Sequence, residues 1–244
     1  MTIEFVLLTI GAYLFGSVPA AYLAARWSRG IDLRQYGSGN VGATNLLKFT
    51  SKRVAFPVII FDLGKGAAMV WAAQLLGLGV IQQVTIGLAA IIGHNWPVFL
   101  RFNGGRGGLT TLGVALILAP KLTIILLAIA FTFAIFRQLA LGTILLLATL
   151  PVCSWFFSQP LGIEEPIPVT LGFLAILLVT IIRRLTAPQS AEAISISKKQ
   201  LLFNRLLFDR DIRDREAWIN RASPGASSTE TARLRKKKPK KGLF

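Results

Sequence analysis

Two stretches of this 244-residue chain combine glycine, short polar side chains and cations in a way that suits an anionic group. The first runs from Asp32 to Lys48. Gly37, Gly39 and Gly42 let the backbone bend so that successive N–H groups converge on an anion. Ser38, Asn40, Thr44 and Asn45 add side-chain hydrogen bonds, while Arg34 and Lys48 supply charge. The second begins at Gly93-His94-Asn95-Trp96-Pro97 and reaches Gly104, Gly105, Arg106, Gly107 and Gly108 just ahead of an apolar run. Glycines around a cation at a helix start form a second anion nest. His94 fits either a proton carrier or a hydrogen-bonding strut, and Trp96 suits a membrane interface. Asp62 and Lys65 lie inside an apolar run, where charge is costly and turns to a polar interior. Their spacing of three puts them on one helix face, as a structural ion pair or a substrate contact.

What is missing narrows the chemistry. One cysteine, Cys153, and one histidine exclude an intrachain disulfide and a Cys/His zinc site, so neither metal nor cofactor is expected. No Ser-His-Asp or Cys-His arrangement is evident. Phosphate then belongs to the substrates. An acyl phosphate carries its own leaving group and needs no enzyme nucleophile, so orientation and charge stabilisation would supply most of the rate. Ser38, His94 and Arg106 are the candidate catalytic residues. Gly37, Ser38, Gly39, Asn40, Gly42, Thr44, Asn45 and Lys48, with Gly104, Gly105, Arg106 and Gly107, are the candidate phosphate cradle. Arg34, Asp62, Lys65 and Thr143 are supporting candidates.

The elements that must hold these residues are membrane helices. Residues are 53% hydrophobic and 16% charged, against about 25% charged in soluble domains, and mean hydropathy is +0.60. Apolar runs cover Ile3–Ala25, Val54–Leu78, Val80–Leu100, Leu109–Ala119, Leu122–Phe136, Leu139–Phe157 and Ile167–Ile182. Open strands cannot satisfy their backbone in lipid, so the expectation is an all-α, multi-pass protein. Pro120 divides one long run into two short helices, giving seven spans, or five if the short pieces are re-entrant. The first run lacks the basic start of a signal peptide and carries Glu4 there, so it reads as the first span. Arg26, Arg29, Arg34, Lys48, Lys52 and Arg53 fall on the same side as Arg101, Arg106, Arg137, Arg183 and Arg184. The opposite side has Glu4, Lys121, Glu164 and Glu165, which places the N-terminus outside and the C-terminus in the cytoplasm.

Net charge is +16, and about half of the Lys and Arg follow Thr186. The expected layout is a membrane domain over 1–186, a cytoplasmic amphipathic segment over 187–222 and a disordered polybasic tail over 223–244. Ile194–Asn220 suits an amphipathic helix, and Ser223–Ser228 a flexible linker. Arg233–Lys241 suits anionic lipid or a solvated tail. Nucleic acid is not an expected partner, since no aromatic residues interleave the basic run.

Gly16-Ser17-Val18-Pro19-Ala20-Ala21-Tyr22-Leu23, the loop Gly37–Asn45, the pair Asp62…Lys65-Gly66 and Gly93–Gly107 together resemble the bacterial acyl-phosphate:glycerol-3-phosphate acyltransferase family. The resemblance spans roughly the first 145 residues in consistent order. It implies a seven-span enzyme of the cytoplasmic membrane that moves a fatty acyl group from acyl phosphate to the sn-1 hydroxyl of glycerol-3-phosphate. Lysophosphatidic acid and phosphate would be the products, and a soluble enzyme that makes acyl phosphate a partner. Arg106 stands where the family usually has lysine, and Lys48 where it has arginine. Ala140-Leu141-Gly142-Thr143 keeps one hydroxyl of a two-serine motif. The family's His-Arg-x-Asn-Ile-x-Arg-Leu element, placed without gaps, falls on Leu178–Leu185, with Leu178 and Ile181 at the His and Asn positions and no following glutamate. Two rival readings are a homologue that binds glycerol-3-phosphate without turnover and an anion transporter.

Overall fold

The computed structural model describes residues 3–136, 138–188, 191–214 and 218, and its regular structure is helical, with no strand among the described residues. The first apolar run, expected as one helix over Ile3–Ala25, folds as two, α1 (Ile3–Gly16) and α2 (Ala20–Arg29). Pro19 has no N–H to give and biases Val18 away from helical geometry, so the ladder breaks at Ser17-Val18-Pro19. Ser17 stays tied to α1, its Oγ and N–H both donating to the Tyr13 carbonyl at 2.8 and 2.9 Å.

α3 (Ala43–Phe49) closes the first polar connection. α4 (Lys52–Leu75), α5 (Val80–Asn95), α6 (Gly108–Leu118), α7 (Pro120–Ile135), α8 (Leu139–Phe156), the single turn α9 (Ser158–Leu161) and α10 (Pro166–Leu185) follow. Among the described residues, five segments are long and apolar enough to cross a membrane: Ile3–Arg29, Lys52–Leu75, Val80–Leu100, Leu139–Phe156 and Pro166–Leu185. The 11 residues of α6 rise only about 17 Å against a bilayer core of about 30 Å. The expected division at Pro120 is present. Pro120 sits in the first turn of α7, where its missing N–H is harmless, and Thr123 Oγ1 donates to the Ala115 carbonyl at 2.8 Å across the joint.

α4 packs along α6, and α1 along α5. In lipid, where apolar burial drives little association, close backbone approach through small residues does this work. A Cβ at Gly66 would lie 2.2 Å from the Thr110 carbonyl oxygen, and one at Gly113 2.0 Å from that of Leu63. Gly16 and Gly93 serve α1 and α5 in the same way. Val70, Ile91, Val114, Leu150, Phe173 and Ile176 form the buried centre, while Ile60, Trp71, Ile81, Phe131 and Leu171 face outward. That inside-out balance is what a lipid-facing surface requires.

After a 3₁₀ turn at Ala191–Ser195 comes α11 (Lys198–Phe208), which packs on α8 and α10. The amphipathic helix expected over Ile194–Asn220 is therefore shorter. Ser197 starts it by accepting from the Gln200 N–H, and Asp209, in the left-handed region at φ 53°, ends it. The linker Ser223–Ser228 and the basic run Arg233–Lys241 lie outside the described residues.

Candidate active site

The first polar loop is organised around one side chain. Gly37 and Gly39 adopt φ of 58° and 68°, folding the chain back on itself. Into that bend projects Asn45, fully buried. Its Oδ1 accepts from the Ser38 N–H at 3.1 Å, and its Nδ2 donates to the carbonyls of Tyr36 at 2.9 Å and Asn40 at 3.1 Å. Both amide protons are thereby engaged within the loop, so Asn45 positions the cradle and is not free to bind phosphate. The Ser38 N–H is likewise engaged, and its Oγ receives the Asn40 N–H at 3.4 Å. Asn45→Leu is expected to cost about 2–3 kcal/mol, since it strands a buried N–H and two carbonyls. Thermal unfolding in detergent checks this, and an unchanged midpoint would remove the staple.

Arg34 is also occupied. Its Nε and Nη2 make a fork onto Asp32 at 3.0 and 2.7 Å, and the guanidinium lies 5.3 Å from the centre of the Tyr22 ring. The hydrogen bond from Arg34 holds the Asp32 carboxyl below the usual carboxylate range. The support this pair gives is thus present at neutral pH and is lost only as pH falls through that depressed value. Lys48, in the last turn of α3, is half-buried.

The second loop leaves α5 at His94-Asn95 and turns sharply, with Arg101 and Phe102 both at positive φ (52° and 61°) and Gly107 at 71°. Its path is fixed from α10. Arg183, buried at the end of that span, donates from Nε to the Gly105 carbonyl and from Nη2 to the Gly104 carbonyl, each at 2.8 Å. The same guanidinium lies 5.8 Å from the Trp96 ring centre. The Gly105 N–H donates to the His94 carbonyl at 3.1 Å, and a Cβ on Gly105 would meet His94 Nε2. Glycine is what lets the imidazole lie against the loop.

Beneath the loops is a buried charged cluster. Asp62 Oδ1 is 2.9 Å from Lys65 Nζ and 3.6 Å from His94 Nδ1. Lys65 Nζ also reaches the Val18 carbonyl at 3.4 Å, at the break between α1 and α2. One small cleft is lined by Ser17, Val18 and Pro19 from that break, Val41 from the first loop, Asp62, His94, and Gly104 and Gly105. Residues from four separate parts of the sequence thus meet at one point. Arg106 does not line the cleft itself but follows Gly105, which does, and its Nη1 is 2.6 Å from Asp209 Oδ1. Thr143 does not line the cleft; its hydroxyl donates back to the Leu139 carbonyl. Among the described residues no three His, Cys, Asp or Glu side chains gather to hold a metal ion.

Three residues matter more than their sequence suggests. Arg183 reads there as an orientation charge, yet it clamps the second loop. Asn95, fully buried, has neither amide atom hydrogen-bonded among the described residues, and it lies against Gly107 at the start of α6. Asp209 belongs to the region after the last span. In the family's third element as placed without gaps, Arg184 is buried. Leu178, at its histidine position, is 52% exposed on the outer face. A second Arg-Leu pair, Arg205-Leu206, is followed by Asp211, whose carboxylate takes Arg205 Nε at 2.7 Å.

This is an all-helical, multi-pass membrane protein with a polar cleft built from glycine loops. The family model for glycerol-3-phosphate acyltransferase matches residues 6–189, and the chain belongs to that family. It is 49% identical over 229 residues to glycerol-3-phosphate acyltransferase 5 of Dehalococcoides mccartyi, covering 94% of this chain and 98% of the relative. It is 40% identical to the glycerol-3-phosphate acyltransferase of Pseudomonas aeruginosa, over 69% of this chain and 88% of that one. The crystal structure of the integral membrane glycerol 3-phosphate acyltransferase PlsY (YgiH) in its glycerol 3-phosphate form superposes with a TM-score of 0.66 at 29% identity, covering 83% of this chain and 94% of PlsY. The lysophosphatidic acid form of the same protein gives 0.65 at 28% identity, over 84% and 98%.

Proposed function

We propose that the protein transfers a fatty acyl group from acyl phosphate to the sn-1 hydroxyl of glycerol-3-phosphate, releasing lysophosphatidic acid and inorganic phosphate. The observation that carries this reading is a cleft in which both glycine loops meet the Asp62–His94 cluster beside a lipid-facing surface. Arg106, Lys48 and the side chains of Ser38, Asn40 and Thr44 would hold phosphate. The glycerol hydroxyl attacks the acyl carbonyl, the carbon–oxygen bond to phosphate breaks, and the departing phosphate takes the hydroxyl proton. No enzyme nucleophile enters. The protein contributes position, and donors for the charge that develops. The acyl chain lies between helices.

Seven spans in the cytoplasmic membrane, N-terminus outside and C-terminus inside, fit this reading. Both loops and α11 then share the cytoplasmic face, where a soluble acyl-phosphate-producing enzyme would deliver its product. The layout of a membrane domain to residue 186, an amphipathic segment to 222 and a basic tail belongs to the same proposal. Purified protein in lipid vesicles, given acyl phosphate and glycerol-3-phosphate, is expected to form lysophosphatidic acid. Saturable glycerol-3-phosphate binding with no product above protein-free vesicles would leave a binding protein and refute the enzyme.

A further inference from the structure

Arg106 is held by a residue that follows the last span. Its partner Asp209, beyond the region matched by the family model, ends α11 in a left-handed conformation. The two side chains keep 17% and 22% exposure, yet the contacting atoms, Arg106 Nη1 and Asp209 Oδ1, are buried. The turn that carries Asp209 is firmly anchored on its other side. Arg205 Nη1 donates to the Leu185 carbonyl at 2.7 Å, Arg184 Nη1 to the Leu206 carbonyl, and Asn204 Nδ2 to the Asp211 carbonyl at 2.9 Å. Arg184 Nη2 fastens the same assembly to the Ala140 carbonyl at the start of α8. From this fixed base a carboxylate reaches the second glycine loop and sits on the guanidinium beside the cleft-lining Gly105.

We propose that Asp209 is a resident competitor for the phosphate of the substrate. It holds Arg106 between turnovers, yields it to glycerol-3-phosphate, and returns to displace the phosphate of the bound product. This inference rests on reading Arg106 as a phosphate-binding cation. A carboxylate and a phosphate make the same charge-assisted contact with a guanidinium, and the phosphate brings more charge and more acceptor oxygens. The substrate therefore wins the exchange, at a weaker net affinity than an unoccupied arginine would give. Lysophosphatidic acid keeps the phosphate and faces the same competition on leaving.

Asp209→Asn and Asp209→Gly both remove the charge while suiting a left-handed backbone, so the turn is retained. In vesicle-reconstituted full-length protein, each is expected to lower the Kd for glycerol-3-phosphate, measured by calorimetry, about three- to tenfold. The inhibition constant for lysophosphatidic acid falls in parallel, which a purely structural role would not produce. The glycine variant decides the matter if the asparagine one unfolds. Unchanged or weaker binding in the folded Asp209 variants, with binding still lost in Arg106→Ala, overturns the competitor and leaves the phosphate site standing. Wild-type binding in Arg106→Ala would instead remove the phosphate site, and this proposal with it.

Discussion

Replacing Arg106 by alanine is expected to lower kcat/KM for glycerol-3-phosphate by about a hundredfold or more while leaving the fold intact. Arg106 follows the cleft-lining Gly105 in the second loop and pairs with a partly exposed aspartate, so little packing depends on it. Its charge, by contrast, would meet phosphate, in the proposed reading, where water is partly excluded and few other cations are available. Arg34 is forked onto Asp32, and Arg183 is engaged with two backbone carbonyls. Arg106→Lys is expected to retain activity within about tenfold, because it keeps the charge and loses only the planar fork. Steady-state lysophosphatidic acid formation in vesicles, paired with thermal unfolding, measures both. An alanine variant with wild-type kcat/KM would place Arg106 outside the site.

Asp62→Ala should destabilise the protein by about 3–5 kcal/mol, the usual consequence of leaving a buried charge without its partner. Asp62 and Lys65 are 2% and 1% exposed, and one carboxylate oxygen serves both Lys65 and His94. Removing it leaves an ammonium in a low-dielectric span with the Val18 carbonyl alone at hydrogen-bonding range among the contacts described. The double variant Asp62→Ala/Lys65→Met removes both charges and is expected to recover most of the loss. Thermal midpoints in detergent compare the three proteins. If the single variant melts with wild type, the pair does not hold α4 in place.

Much of this architecture is legible in the residues themselves. Pro120 marks where α7 must start, and the spacing of Asp62 and Lys65 already puts them side by side, whereas the break at Pro19 lies inside a run that reads as one helix. The glycine loops announce tight backbone bends near a charge. Sequence is less informative about which polar side chain serves substrate and which serves the loop. Asn45 has the right type for either task, and only its burial against Tyr36 and Asn40 assigns it to the second. Arg183 and Asp209 were out of reach for a different reason. Their partners lie in the second loop, and nothing local to α10 or α11 states that these ends return to it. Leu178, at the family's histidine position by count, is half exposed, in keeping with its departure from the motif there.

The grip of Arg183 on two successive carbonyls reaches further than holding a loop. A peptide unit is planar and trans, so its N–H faces away from its C=O. With the Gly105 oxygen seized from α10, the amide hydrogen of Arg106 is aimed to the opposite side and cannot swing. Electron density drawn toward the guanidinium also polarises that unit, making its amide a stronger donor than an unpaired peptide. The backbone chemistry of the second loop is in this sense tuned by remote control. A point charge at position 183 would direct one such dipole, where the planar guanidinium directs two at once.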